Sequence, residues 1–438
     1  MPILETLIGI VYSFLFYFMI RKLKFWDDSF ISRNQFIFLF SLKVVAGVVV
    51  WQFYNYQYER SHGDVFRFYD DARIAYDNLK SYPISFLKFT FGIGSDPNIE
   101  ALYPKLDSWD RDYNYRLAII DNRTIIRFNL FLFPFTQGVY FVHVLFHAFL
   151  SFIGLVSIYK AFKSNFAEKE QWLIASIFIV PSLLFWASAV LKESLLIFGL
   201  GIFIREIKKI IDNQYSSINY WALIIGFFTL FSIKAYVLII LTPGIFTLVL
   251  FKFKPVSKPV LTAFLINITL LFLVINLKHI NPKLDIIYVI FQKSRDAMNE
   301  AFLHGAGSLI EGYEKLEPNL FTFIKRSPEA LLNALFRPFP SDLNRLLYWP
   351  NFLETLIWLA AIVFTIFQFK KPEKSEVPIL IFLALFCFYF LLLVGLTTPL
   401  IGSIVRYRIP VLPFLLILLG LLNNYKNQKF ILNKNSNS

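Results

Sequence analysis

The chain has 438 residues, 57% hydrophobic and 19% aromatic, with a net charge of +13. Apolar runs near 20 residues recur along it, each matching a helix that crosses a ~30 Å hydrocarbon core, and this excludes a soluble globular protein. The charge does not point to nucleic acid, because Lys and Arg sit in short clusters between apolar runs, where the positive-inside rule puts them.

The first apolar run, Pro2–Ile20, lacks a basic start and a small-residue cleavage site, so it reads as a retained span. Arg21, Lys22, Lys24 and Arg33 place its far end in the cytoplasm. Asn34–Tyr54 returns outward to a polar segment, and Gln137–Phe162 comes back to Lys160, Lys163 and Lys169. Two tightly connected pairs follow: Trp172–Val190 with Ser194–Ile204, then Ile218–Ile233 with Tyr236–Phe251. Val260–Leu277 leads to a second polar segment, and Phe352–Phe369, Val377–Leu396 and Ile409–Leu422 complete the set.

The expected fold is an all-α integral membrane protein with about eleven transmembrane helices and two long outer-face segments containing interfacial helices. Residues 1–55 hold the first two spans, 56–136 the outer acidic loop, 137–278 spans three to eight and 279–350 the second outer segment. Residues 351–422 hold the last three spans, and 423–438 a tail carrying Lys426, Lys429 and Lys434. The N-terminus is expected outside and the C-terminus in the cytoplasm, in a bacterial inner membrane. The amphipathic stretches Ile84–Phe91 and Phe321–Phe336 suit helices in the interface plane or surface helices of a small outer domain.

Three groups of residues could carry chemistry on the outer face. The segment His62-Gly63-Asp64-Val65-Phe66-Arg67-Phe68-Tyr69-Asp70-Asp71 packs three carboxylates among aromatics. Asp70 and Asp71 could hold a divalent cation such as Mg2+ or Mn2+, and one of the three could serve as a general base. Lys192 and Glu193 form a charged pair at a tight turn between apolar helices, where unpaired charge is costly. Lys234, Arg337, Arg406 and Arg408 fall near other helix ends, where they could clamp a lipid phosphate or snorkel to headgroups; Tyr407 lies between the last two. His143 and His147 share a helical face inside an apolar run without an evident third ligand, which favours a structural role. The only cysteine, Cys387, lies in an apolar run, so a disulfide within the chain and cysteine chemistry are not expected.

This pattern resembles the GT-C superfamily of membrane glycosyltransferases. The likeness rests on the acidic, aromatic first outer loop, on the Pro181…Phe185-Trp186-Ala187-Ser188…Lys192-Glu193 stretch, and on the ending Arg406-Tyr407-Arg408-Ile409-Pro410. It implies a polyprenyl-phosphate sugar as donor and membrane lipids as surroundings. It further implies Asp64, Asp70 or Asp71 as base or metal ligand, and Lys192, Lys234, Arg337, Arg406 and Arg408 on the lipid phosphate. Tyr69, Glu193 and Tyr407 would support them. The chain departs from the family pattern in placing the acidic loop after the second span and in lacking an Asp-Glu dipeptide there. A polysaccharide polymerase or ligase is the nearest alternative, and a lipid or polysaccharide transporter or flippase is the alternative of another class.

Overall fold

A computed structural model of the protein describes residues 2–57, 60, 63–109, 121–214, 216–254, 256–303, 308–313, 315–343 and 346–424. His62 of the acidic segment and the tail lysines Lys426, Lys429 and Lys434 lie outside the described residues. Within them the regular structure is helical, with two isolated β-bridges, Leu309–Leu400 and Phe369–Asn423. Helices satisfy their backbone N–H and C=O groups internally, which is what hydrocarbon demands. The expected all-α polytopic membrane class is the one observed.

Two apolar helices open the chain, α1 (Pro2–Lys22) and α2 (Arg33–Gln57). A lobe of four shorter helices follows: α3 (Asp64–Leu79), α4 (Pro83–Phe91), α5 (Pro97–Leu102) and α6 (Asp121–Thr136). Next come α7 (Tyr140–Phe162), α8 (Glu170–Ile174), a π-helical turn over Ala175–Ile179, α9 (Pro181–Trp186), α10 (Lys192–Ile211) and α11 (Ser217–Phe253). The remainder is α12 (Pro259–Asn276), α13 (Ile286–Leu303), α14 (Leu320–Phe336), α15 (Trp349–Phe367), α16 (Val377–Thr397), α17 (Ile401–Tyr407) and α18 (Leu412–Leu422).

Seven described helices are long and apolar enough to cross a membrane: α1, α2, α7, α11, α12, α15 and α16. The pair α17–α18, bent by 64°, makes an eighth. Eleven separate spans are therefore not reproduced, for two local reasons. The stretch Trp172–Val190 is broken into short pieces, with Pro181, which has no N–H to donate, opening α9. The apolar part of α10 runs on into Arg205, Glu206, Lys208 and Lys209. Ile218–Ile233 and Tyr236–Phe251, by contrast, stay two helices within α11, parted where Lys234 leaves helical geometry (φ −151, ψ 79).

Those 37 residues would extend ~55 Å if straight. Yet Lys252, at the far end of α11, donates to the Asn213 side chain just ahead of its start, at 2.9 Å. The chain must therefore reverse at Lys234, and the two halves of α11 run back along each other.

The core forms where glycine lets backbones touch. A Cβ on Gly201 of α10 would lie 2.0 Å from the Gly154 carbonyl oxygen of α7, so the two helices cross at contact distance. Gly395 of α16 meets the Ala330 carbonyl of α14 in the same way. Of the most apolar window of α7, 78% is buried, against 11% for α12, which puts α7 inside the bundle and α12 at its edge. Helix α14 is thus docked on α16 while still exposing Phe321 and Ile324. On α4, Phe89 is buried and Ile84, Leu87 and Phe91 are exposed.

Two buried membrane charges hold the ends of α9. Glu354 of α15 accepts hydrogen bonds from the Ser182 N–H at 2.5 Å and from its hydroxyl at 2.7 Å. Lys43 of α2 donates to the Ala187 carbonyl at 3.2 Å, and the Ser151 hydroxyl of α7 donates to the same oxygen. The carboxyl group sits at the helix start, where backbone N–H groups lack partners, and the amine at its end, where carbonyls do.

Candidate functional site

Charged side chains gather at one end of the bundle, each carried by a helix start, a break or a bend. Asp64 opens α3, Asp121 opens α6, and Lys192 and Glu193 open α10 after the break beyond α9. Lys234 marks the reversal of α11, and Arg406 and Tyr407 end α17 at the 64° bend. Regular helix interiors cannot aim polar groups at one another across a bundle without burying them. Ends and breaks can, and they leave backbone groups open for capping.

Arg406 is the hub. Its Nη1 lies 2.6 Å from Asp64 Oδ2, while Nε and Nη2 meet Glu193 Oε1 and Oε2 at 3.0 and 3.1 Å. The Glu193 side chain is 1% exposed and that of Asp64 39%, so Arg406 clamps one buried carboxylate and one that stays open. Beside it, Lys192 pairs with Asp121 at 2.9 Å. Lys234 stands 4.5 Å from the Tyr407 ring centroid, and the Arg406 guanidinium 5.8 Å from that of Trp186. Arg67 approaches Asp64 to 4.0 Å on its exposed side.

Burial opposes ionisation of Asp64 and of Asp121. Arg406, Lys192 and Arg67 outweigh it at Asp64, and Lys192 and Lys234 do so at Asp121, so both pKa values fall below the usual carboxylate range. Both acids are therefore charged at neutral pH. The site alternates carboxylates and cations, and Lys234 is held by aromatic faces rather than by a carboxylate among its described contacts.

Beneath this cluster a buried polar network ties its helices together. His143 bonds Asn129 and Thr136 at 2.9 Å each, and His147 bonds Ser194 at 2.5 Å. All five side chains are fully buried, and they link α6, α7 and α10. The histidines are thus satisfied core groups that fix the helices presenting Asp121 and Lys192.

Of the expected site residues, Asp64, Lys192, Glu193, Lys234, Arg406 and Tyr407 come together, and the others do not. Asp70 pairs with Arg60 at 2.7 Å. Asp71 turns inward and accepts from the backbone N–H groups of Asp107 and Ser108 at 3.0 and 2.8 Å. Neighbours on a helix point in different directions, so the two do not form the expected cation site. Among the described residues no three His, Cys, Asp or Glu side chains gather as metal ligands would. Tyr69 donates to the Gly138 carbonyl and packs edge-on to His143. Arg337 is engaged by Asp342 at 2.6 Å. Arg408 is wholly buried and donates to the carbonyls of Ala334, Leu335 and Arg337, so it caps α14. Asp121 was not foreseen; it stands in the first polar segment with no motif around it.

Asp71 predicts a pH effect. Burial pushes its carboxyl from the ordinary 3.8 up to about 6, despite the two backbone donors. A raised folded-state value adds stability that is fully present below the unfolded pKa and is lost as pH rises through the folded one. The thermal midpoint of the protein in detergent, measured relative to that of Asp71→Asn, is thus expected to fall between pH 4 and pH 6. A pH-independent difference would refute this.

No protein-family model, curated protein or solved structure matches this chain.

Proposed function

We propose that the protein is a membrane glycosyltransferase that moves a sugar from a polyprenyl-phosphate donor to an acceptor hydroxyl, on the outer face of a bacterial inner membrane, in cell-envelope polysaccharide or glycoconjugate synthesis. The observation that carries this reading is the meeting of Asp64, Asp121, Lys192, Lys234 and Arg406 at one end of an apolar bundle. A lipid-borne phosphate needs cations at membrane depth, and an acceptor hydroxyl needs a carboxylate beside them.

In this scheme the donor phosphate enters between Lys234, Lys192 and Arg406. It competes for the Arg406 guanidinium, which loosens its hold on Asp64 and lets that carboxylate's pKa rise toward the useful range. The acceptor oxygen forms its bond to the anomeric carbon as the carbon–oxygen bond to phosphate breaks. Asp64 takes the hydroxyl proton, the lipid phosphate leaves with the bonding electrons, and the cations stabilise its charge.

Lys234→Gln is expected to weaken binding of a polyprenyl phosphate about tenfold, the worth of one charged hydrogen bond. Titration of the purified protein by intrinsic tryptophan fluorescence reads this out. Unchanged affinity would remove Lys234 from the phosphate site.

A second reading, transport of a lipid-linked or polymeric sugar, is favoured by one observation. Helices α9–α10 and α17–α18 are discontinuous, and Lys43 and Glu354 lie buried at the two ends of α9, features that also build transporter sites. Proteoliposomes separate the two: movement of a fluorescent lipid-linked sugar across the bilayer without glycosidic product would select transport.

A further inference from the structure

A groove of about 810 Å³ runs between α1, α2 and α7, apart from the charged cluster. Along α1 it is lined by Glu5, Gly9, Ser13 and Tyr17, a spacing of four that keeps one helix face toward it. From Glu5 to Tyr17 is ~18 Å of helix, close to the ~15 Å depth of one leaflet. The groove therefore has the length of a single lipid chain.

Its walls and mouth differ in chemistry. Gly9 allows α1 to approach α7, since a Cβ there would lie 2.9 Å from the Phe141 ring. The Ser13 hydroxyl donates to the Gly9 carbonyl at 2.8 Å, so its own hydrogen is turned back into α1 rather than toward a ligand. Trp51 and Tyr140, with ring centroids 5.1 Å apart, close the end near Glu5, as aromatic side chains do at a membrane–water boundary.

A negative charge stands at that mouth, and a positive one lies beyond its rim, on α3. Glu5 is exposed and has no ion-pair partner among the described residues. Tyr69 sits behind the rim, bonded to the Gly138 carbonyl next to the groove residue Val139. Arg73 follows one helical turn after Tyr69 on the same face of α3, exposed and likewise without an ion-pair partner among the described residues. Both Glu5 and Arg73 fall within electrostatic range of the Tyr69 hydroxyl. Asp70, also nearby, is neutralised by Arg60.

We propose that this groove is a binding site for one phospholipid with a primary-amine headgroup. One chain would lie along α1, the ammonium would meet Glu5 and the phosphate would meet Arg73. A lipid that is anionic and lacks the ammonium would bring its charge up to the Glu5 carboxylate without compensation. This site is separate from the cluster at Arg406 and does not depend on the transfer reaction proposed for it.

The test is native mass spectrometry of the full chain, delipidated in detergent and titrated with dioleoylphosphatidylethanolamine or dioleoylphosphatidylglycerol. One tightly held ethanolamine lipid per chain is expected, with about tenfold weaker retention of the glycerol lipid. Glu5→Gln and Arg73→Gln should each reduce ethanolamine-lipid retention about tenfold. Ser13→Phe, which fills the floor, should abolish retention with the thermal midpoint unchanged. Equal retention of the two lipids, or insensitivity to all three substitutions, overturns the proposal. So would a dimer whose contact covers α1, or displacement of the lipid by a polyprenyl phosphate at equal concentration.

Discussion

Arg406→Met is expected to destabilise the protein by about 3–5 kcal/mol, the cost of leaving a buried charge without its partner. Glu193, 1% exposed, would lose the fork that meets both of its oxygens, and Asp64 would lose its nearest cation. Arg406→Lys should recover only part of the loss, because an ammonium cannot serve two carboxylates with a planar fork. Adding Glu193→Gln to Arg406→Met should restore more, since the stranded charge is then gone. Denaturant titration in mixed micelles measures all three. A loss below about 1 kcal/mol for Arg406→Met would mean that water, not the protein, solvates the clamp.

Asp64→Asn addresses the chemistry. Asparagine keeps the shape and still accepts a hydrogen bond from Arg406, but it cannot take a proton. Turnover of a polyprenyl-phosphate hexose in proteoliposomes is expected to fall by about 10²–10⁴, the usual worth of a positioned base, with donor affinity changed little. Asp121→Asn provides the contrast: paired with Lys192 and lacking Arg406, it should act mainly through binding. Activity of Asp64→Asn within about threefold of the parent would deny Asp64 the role of base.

Much of the site could be read from the sequence because its charges lie where apolar runs stop. Lys192–Glu193 sits in too short a connection to escape the membrane boundary, and Lys234 falls midway in a run too long for one crossing. Arg406 stands where an apolar ending turns. What could not be read is direction. Asp64, Asp70 and Asp71 look alike in a linear segment, but on α3 they face Arg406, Arg60 and the amides of residues 107 and 108. Arg406 and Arg408 differ by two positions, enough to send one to the carboxylates and the other to the carbonyls ending α14. Asp121 needed the lobe to fold before it met Lys192. Glu354 reads as an early polar residue of its span, and only the break before α9 gives it a partner.

The clamp on α9 also bears on how the protein is made. Lys43 precedes its acceptor Ala187 by 144 positions, and Ser182 precedes Glu354 by 172. At ribosomal rates of roughly 5–20 residues per second, α2 exists for about 7–30 s before the carbonyl that receives its ammonium has been synthesised. A lysine in the middle of a helix costs about 2.5–3.5 kcal/mol to place in the bilayer centre, so α2 is a poor solitary insert. Biogenesis of the bundle is thereby ordered by two deferred contacts: α2 settles when α9 emerges, and α9 is latched only when α15 follows.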